Sequence, residues 1–499
     1  MTRLHEIIDA HAKASPQAPA LRDTLGYRFD FAGYAAASRE AADLLSARGV
    51  RAGDRVMIVA ENCAVIPALI FGASRLGAWA VPVNARMTAS EIGRIAAHCT
   101  PRVTAYTTEA SDAARGHSET AGATEVETSF GGVAFGPTDD EAKAETDGDV
   151  AILLYTTGTT GDPKGVMLTH DNLVYAGTAS RDLRDMVPSD RIYGALPLTH
   201  VFGIASMLTA GAITGAEVQL ETRFTPAALL DALRDGATVL PAVPQMHALL
   251  MKHTAELGID SLKDAKLRYV SSGAAPLDPA WKRKAEAFYG LPLQNGYGMT
   301  ESTAGVCGTR NPIGTADISV GPPFPGLEIA IDAPDANGVG EILTRGPHVM
   351  KGYYRAPDLT AQTIDADGWL KTGDLGRIDE SGNLHVVGRV KELIIRSGFN
   401  VYPPEVEAAL NDHPAVVQSA VVGRARDGNE DVLAFVETTA DNAVTPDALR
   451  DFVADSLSNY KRPSAIFIVK KLPAAATGKI LKHRLLDAFA DRIAELDKE

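Results

Sequence analysis

The sequence predicts an α/β protein with a large N-terminal domain, built from two α/β subdomains and a small β-structure, and a smaller α+β C-terminal domain. Three observations predict this. Apolar, β-branched runs alternate with Ala-rich helical stretches through the first half, the pattern of helices layered on a largely parallel sheet. From about Thr315 to Gly388 the texture changes to short strands between turns, and after Gly388 to a compact helix, strand, strand, helix pattern. At 499 residues the chain also exceeds what one hydrophobic core can organise.

Taken in order, Met1–Ala10 mixes charges into an amphipathic helical pattern and has no signal-peptide apolar core. Tyr34–Ala47 reads as a helix and Arg55–Ala60 as a buried strand. The most apolar stretch, Val65–Val83, is interrupted by Pro67, Arg75, Gly77 and Pro82, so a buried helix, turn and strand fit it better than a membrane span. Residues 107–148 are poor in large apolar side chains and end in Asp139-Asp140-Glu141-Ala142-Lys143-Ala144-Glu145, which predicts a solvated connector between two subdomains. Val150–Tyr155 and Leu267–Val270 read as strands feeding loops, and Gly340–Thr344 and Asn383–Val387 as strands of the small β-structure. Pro403-Pro404-Glu405 opens a helix, apolar strands follow near Gln418–Val422 and Val432–Val436, and another helix starts at Thr445.

Lys+Arg number 48 against 63 Asp+Glu, and the net charge of -15 argues against nucleic acid or anionic membrane as partners. Cys63, Cys99 and Cys307 are odd in number and widely spaced, which suggests neither a disulfide framework nor a zinc site. A cytoplasmic protein without integral membrane association is expected, and a homodimer is compatible with the sequence.

The most informative segment is Tyr155-Thr156-Thr157-Gly158-Thr159-Thr160-Gly161-Asp162-Pro163-Lys164-Gly165-Val166. Hydroxyls alternate with glycines and a lysine follows, so backbone N–H groups, hydroxyls and one cation can converge on a polyphosphate. It is not a Walker A loop, because Lys164 is followed by glycine instead of a magnesium-binding hydroxyl. A flexible surface turn would need neither four threonines nor the lysine.

This segment resembles the signature of the acyl-adenylate-forming superfamily, with Thr157 in place of a serine and the hydroxyl kept. Further segments resemble the same superfamily and together cover most of the chain. In Ser271-Ser272-Gly273-Ala274-Ala275-Pro276-Leu277 the resemblance places adenine against Gly273, Ala274 and Ala275; alone, the segment is a strand-to-helix turn. In Asn295-Gly296-Tyr297-Gly298-Met299-Thr300-Glu301 it implies that Tyr297 stacks on adenine, flanked by Asn295, Gly296 and Gly298. It further implies that Thr300 meets the α-phosphate region and that Glu301 holds Mg2+. Lys371-Thr372-Gly373-Asp374 supplies a carboxylate suited to two ribose hydroxyls, and Arg389 resembles the second ribose or phosphate contact; in isolation Asp374 is equally a turn cap.

Lys391 falls on the family's hinge position, which implies a large domain over 1–390 and a mobile C-terminal lid over 391–499. Within that lid Ala476-Thr477-Gly478-Lys479-Ile480-Leu481 resembles the motif carrying the catalytic lysine, although Ala474 and Ala475 stand where the family has Arg and Thr. Lys479 would neutralise charge as a carboxylate attacks the α-phosphate. Gly398, in Arg396–Pro403, resembles a loop lining the pantetheine tunnel of CoA ligases, with a plain hairpin turn as the alternative.

For the acid, Leu196–Gly203 is similar to a family segment whose aromatic residue sits beside the substrate carboxylate. His200 is the candidate there, with Val201, Phe202, Val243, Pro244, Met246, Ser272 and Gly296 lining an uncharged pocket. Gly296 stands where malonyl-CoA synthetases carry an arginine, which argues against a dicarboxylate. The resemblance therefore implies an ATP-dependent carboxylic acid:CoA ligase that uses Mg2+ and coenzyme A. It would form acyl-AMP and then acyl-CoA from a hydrophobic monocarboxylic acid, aryl or medium-chain. A freestanding adenylating enzyme serving a separate carrier protein is the alternative, weakened because the chain stops 20 residues beyond Lys479 with no carrier domain expected there. A nonenzymatic nucleotide sensor is less favoured, because it would have no need of Lys479, Thr300 and Glu301 together.

Overall fold

The computed structural model of the chain describes residues 2–157, 163–273, 277–396, 399–426, 429–439, 444–474 and 480–496. Contacts divide the chain into two compact units. One comprises Met1–Leu277, Lys282–Ile329 and Thr344–Leu370; the other comprises Asp278–Trp281, Ala330–Leu343 and Lys371–Glu499.

The first unit is built on two eight-stranded sheets. The first runs in the order Gly352–Tyr353, Pro163–Thr169, Val150–Thr157, Trp79–Asn84, Arg55–Ala60, Val103–Tyr106, Val133–Phe135 and Thr124–Val126. Its centre is parallel, Arg55–Ala60 lying between Trp79–Asn84 and Val103–Tyr106. Both flanks are antiparallel. Arg55–Ala60 is buried at every position, as a strand covered on both faces must be, which is why it reads as a continuous apolar run instead of an alternating one. The helix Val65–Leu76 returns the chain to Trp79–Asn84 and ends where Gly77 takes a left-handed φ of 69°. No helix among the described residues is long and apolar enough to cross a membrane.

The second sheet runs Cys307–Gly308, Leu293–Tyr297, Tyr269–Ser272, Val239–Ala242, Arg191–Gly194, Glu217–Leu220, Pro19–Asp23 and Arg28–Asp30. It too is parallel in the middle and antiparallel at its edges. The two strands at one of its edges, Pro19–Asp23 and Arg28–Asp30, come from the N-terminal end of the chain, so the two sheets are not consecutive in sequence.

Residues 107–148 are not the connector that their composition predicts. They supply the helix Asp112–Thr120 and two strands of the first sheet, Thr124–Val126 and Val133–Phe135. The Val-Ala-Phe triplet of the second strand is fully buried, and three residues are too few to raise the local hydrophobicity visibly. Even the acidic tail is anchored, with the Glu145 N–H donating to the Gly53 carbonyl at 2.9 Å and the Tyr354 hydroxyl to the Glu145 carboxylate at 2.5 Å.

In the second unit Leu370–Ile378 pairs antiparallel with Leu384–Arg389, in a four-stranded sheet completed by Gly340–Arg345 and Glu328–Asp332. A three-stranded sheet follows, in which Val416–Arg426 pairs antiparallel with Asn429–Thr438 and Asn429–Thr438 parallel with Ala465–Val469. Alternate residues face opposite sides. Val421, Val432 and Val436 join one core with Val406 and Leu410 of the helix Pro403–Asn411 and with Leu449 and Val453 of the helix Pro446–Ala454. Ala420, Leu433 and Phe435 join another with Phe467, Leu485 and Ile493. Thr445, the expected helix start, caps the helix by accepting the Ala448 N–H at 3.2 Å.

Candidate active site

The Thr- and Gly-rich segment grows out of two antiparallel strands of the first sheet, Val150–Thr157 and Pro163–Thr169, with Thr156 opposite Lys164 and Thr157 opposite Pro163. Gly158, Thr159, Thr160 and Gly161 lie outside the described residues, as do the Thr157 side chain, Ala274, Ala275, Gly398 and Lys479. The root of the segment is fixed from the side. The Tyr155 hydroxyl and His98 Nδ1 share a hydrogen bond of 2.7 Å, and the His98 imidazole packs edge-on against Tyr354. Burial and the nearby Arg355 guanidinium lower the His98 pKa, and burial raises that of the Tyr155 phenol, so both groups are neutral near pH 7.

Lys164 and Glu301, far apart in sequence, meet on one residue. The Tyr353 hydroxyl donates to Glu301 Oε1 at 2.8 Å, and the Lys164 ammonium lies over the Tyr353 ring, 5.5 Å from its centroid. Burial and the Glu301 carboxylate hold the Tyr353 phenol well above its usual pKa, which keeps it a donor. Backbone bonds fix the arrangement: the Met350 N–H donates to the Glu301 carbonyl (2.9 Å), Lys351 N–H to Met167 (3.0 Å) and Tyr354 N–H to Gly165 (2.7 Å). Tyr353 thus stands between the phosphate-loop lysine and the expected metal ligand. Sequence reasoning missed it, because Gly352-Tyr353-Tyr354-Arg355 reads locally as a short aromatic strand.

These residues fit a magnesium ion bound with a nucleotide. Glu301 is buried, one of its carboxylate oxygens is held by Tyr353, and the other accepts no hydrogen bond among the described residues. No cluster of three or more His, Cys, Asp or Glu that could hold a metal occurs among the described residues. A single carboxylate plus substrate phosphates is the arrangement that suits Mg2+.

The strand Leu293–Tyr297 carries the next group of residues. Asn295 is buried and its side-chain amide is spent on the fold, donating to the Ser319 carbonyl at 3.0 Å and accepting the Gly296 N–H at 2.9 Å. Tyr297 is half-buried, and Thr300 opens a short 3-10 turn, Thr300–Ser302, that presents Glu301. Gly298 lets two backbone segments touch: a Cβ there would fall 1.2 Å from the Ala304 carbonyl oxygen. Gly298→Ala is therefore expected to cost about 3 kcal/mol or more. Thermal denaturation would show it as a lowered melting temperature, and an unchanged melting temperature would contradict this packing. Gly296 is also tight, a Cβ lying 3.0 Å from the Cys307 carbonyl oxygen, so an arginine at this position would require the backbone to move.

Part of the candidate acid site comes together around Gly273. A Cβ at Gly273 would lie 3.2 Å from the Phe202 ring, so the segment expected to line the acid pocket abuts the one expected to hold adenine. His200 is exposed and caps the short helix Val201–Gly203, its Nδ1 accepting the Phe202 N–H at 3.3 Å. Val201 is buried, and the neighbouring Ser272 hydroxyl is buried without a hydrogen-bond partner among the described residues. Val243 precedes the helix Pro244–Glu256, in which Met246 is buried.

In the second unit Asp374 and Arg389 face each other across two antiparallel strands, with Arg389 Nε 3.2 Å from Asp374 Oδ1. Asp374 is buried and Arg389 about half exposed, so the carboxylate is pre-oriented by a cation that can itself turn to a ligand. Lys391 lies in the turn Val390–Glu392 that follows. Ile394–Arg396 and Phe399–Val401, either side of Gly398, pair antiparallel. Ala474 and Ile480, which bracket the undescribed residues around Lys479, bridge to each other.

Comparison with known proteins adds the following. A family described as AMP-binding enzyme matches residues 8–354, and one described as AMP-binding enzyme C-terminal domain matches residues 405–479. A 4-coumarate–CoA ligase of Oryza sativa subsp. japonica is 34% identical, covering 94% of this chain and 89% of its own length. Among solved structures, ATP-bound MatB from Rhodopseudomonas palustris superimposes with a TM-score of 0.84 at 28% identity over 98% of this chain and 100% of its own. An o-succinylbenzoate coenzyme A synthetase (MenE) of Bacillus subtilis, in complex with ATP and magnesium ion, gives 0.82 at 29% identity over 96% and 98%.

Proposed function

The chain belongs to the AMP-binding enzyme family and is an AMP-forming acid:CoA ligase, and from that premise we propose that its substrate is a mainly apolar monocarboxylic acid, aryl or medium-chain, activated in the cytoplasm. The observation that carries this reading is the convergence of Lys164 and Glu301 on Tyr353, which supports a nucleotide phosphate chain and its cation at one place. The acid lies along His200, Val201, Phe202, Val243, Ser272 and Gly296. No cation stands among these side chains, which favours an apolar acid over a dicarboxylate, and the tight packing at Gly296 agrees.

In the first half-reaction the acid carboxylate attacks the α-phosphorus of ATP, the bond to the bridging oxygen breaks, and pyrophosphate leaves with that electron pair. Lys164 and the hydroxyls of Thr156, Thr157, Thr159 and Thr160 hold the phosphates. Glu301 would hold Mg2+, which supplies positive charge to the polyphosphate when bound. Tyr297, with Gly273, Ala274 and Ala275, frames the adenine, and Asp374 and Arg389 hold the ribose. Lys479 offsets the charge that gathers on the α-phosphate as two anions approach. In the second half-reaction the CoA thiol, its backbone passing Gly398, attacks the acyl carbonyl and AMP leaves. The mixed anhydride already carries a good leaving group, so the protein needs no nucleophile of its own. We assign residues 1–390 and 391–499 to two functional domains with the hinge at Lys391, which falls between the two family-matched regions.

Mass spectrometry of the products after incubation with ATP, Mg2+, CoA and a panel of aryl, alkyl and dicarboxylic acids tests this reading. Acyl-CoA and AMP from the aryl or alkyl monocarboxylates are expected. Turnover confined to dicarboxylates would overturn the substrate class, and acyl-AMP that accumulates with CoA untouched would point to a carrier protein as acceptor.

A further inference from the structure

Three cationic side chains are buried among the described residues, Arg55, Arg184 and Lys282, and two of them are compensated. Arg55 donates to the carbonyls of Gly53 (2.7 Å), Cys99 (2.9 Å) and Thr100 (3.1 Å) and to the Thr100 hydroxyl. Lys282 donates to the carbonyls of Thr315 and Asp317, each at 2.8 Å, and has the Glu286 carboxylate 3.9 Å away.

Arg184 differs. Only 5% exposed, it has Nη1 donating to the Ser206 carbonyl and its guanidinium 5.7 Å from the centroid of the Tyr269 ring, whose hydroxyl is its other polar neighbour. Nε has no hydrogen-bond partner, and no carboxylate is among the groups that act on it. A guanidinium has five N–H donors, and burying it with a donor idle and its charge unopposed is strongly unfavourable. Such a group persists where something outside the folded chain completes it.

Its surroundings indicate what that is. Ser206 belongs to a π-helical turn, Ile204–Thr209, that continues directly from His200–Gly203, and every residue of the turn is buried. Turns of this kind interrupt regular helices mostly at functional sites. The Ser180 hydroxyl donates to the Ser206 hydroxyl at 3.2 Å and ties the turn to the helix His170–Leu183, which Arg184 terminates. At a helical rise of 1.5 Å per residue, Ser206 lies about 9 Å along the chain axis from His200. This is the span of an acid with one six-membered ring between its carboxylate and its far end.

We propose that Arg184 determines specificity by reading the far end of the acid: its idle Nε–H donates to an oxygen acceptor on the tail of a substrate whose carboxylate sits at His200. The proposal rests on the acid:CoA ligase reading and on His200 lying at the carboxylate. Within the mainly apolar acids it selects those that end in an oxygen over their hydrocarbon counterparts.

Steady-state kcat/KM for acyl-CoA formation is measured on matched monocarboxylic acids: 4-hydroxycinnamate against 4-methylcinnamate, and 8-hydroxyoctanoate against nonanoate. With the intact enzyme, an oxygen-ended acid is expected to exceed its methyl-ended counterpart by at least about tenfold, mainly through KM. Arg184→Met should bring that ratio close to one while turnover of the methyl-ended acid stays within a few-fold, and Arg184→Lys should fall between. A ratio near one in the intact enzyme, or a ratio unchanged in Arg184→Met, overturns the proposal. If Arg184→Met fails to fold, Arg184→Lys supplies the comparison, and a ratio unchanged there overturns the proposal equally. Absence of acyl-CoA from every acid would instead sink the ligase reading on which the proposal stands.

Discussion

Lys479→Ala is expected to slow formation of acyl-AMP by about a hundredfold to a thousandfold, the usual cost of removing one charge-stabilising group. Thioester formation from chemically supplied acyl-AMP should stay within a few-fold of the parental rate. The asymmetry follows from the charges. A carboxylate approaching the α-phosphate of ATP brings two anions together, and only in that transition state does a cation at the α-phosphate gain interaction energy that it lacks in the ground state. In the second step a thiol meets an already activated carbonyl, and no comparable charge gathers. A main-chain bridge between Ala474 and Ile480 ties the chain on either side of the segment, so the truncation should leave the fold intact. Pyrophosphate exchange measures the first step, and CoA consumption with supplied acyl-AMP measures the second. Equal losses in both would assign Lys479 a structural role.

Glu301→Gln should lower kcat/KM for ATP by at least about a hundredfold and raise the Mg2+ concentration needed for half-maximal exchange. The amide keeps the size of the carboxylate and can still accept the bond from Tyr353, so the change isolates the charge. Tyr353→Phe isolates the other half of the arrangement. The ring stays under Lys164 while the hydroxyl that orients Glu301 is lost, and a tenfold to hundredfold weaker metal affinity is expected, typical for a residue that supports a metal ligand. Calorimetric titration of the protein with Mg-ATP reads both variants without relying on turnover. Parental Mg2+ dependence in Glu301→Gln would remove Glu301 from the metal site.

Much of the fold was legible because its strongest signals are local. Arg55–Ala60 is a strand with the same bounds in sequence and structure, Gly77 ends its helix as a left-handed cap, and Thr445 caps the helix it was expected to start. The segment 107–148 reads as a connector because the apolar triplet Val133–Phe135 is too short to outweigh its acidic surroundings. At the site, the sequence pointed to Lys164, Glu301, Tyr297 and Asp374 through dense motifs, whereas Tyr353, His98 and Arg184 lie in segments that look ordinary. Their roles come from side chains brought together across long stretches of chain: Tyr353 beside Glu301, His98 beside Tyr155, and Arg184 beneath Ser206. No local pattern encodes such pairings. That Asp374 and Arg389 pair with each other was equally hidden, since it depends on the register of two strands.

The central claim, activation through a mixed anhydride with AMP, is tested most directly by following heavy oxygen from the carboxylate of a turned-over acid. Attack of that carboxylate on the α-phosphorus predicts one labelled oxygen in the AMP that is released and none in pyrophosphate. AMP free of label, or label carried into pyrophosphate, would contradict an acyl-AMP intermediate and the roles given to Lys479 and Glu301 with it.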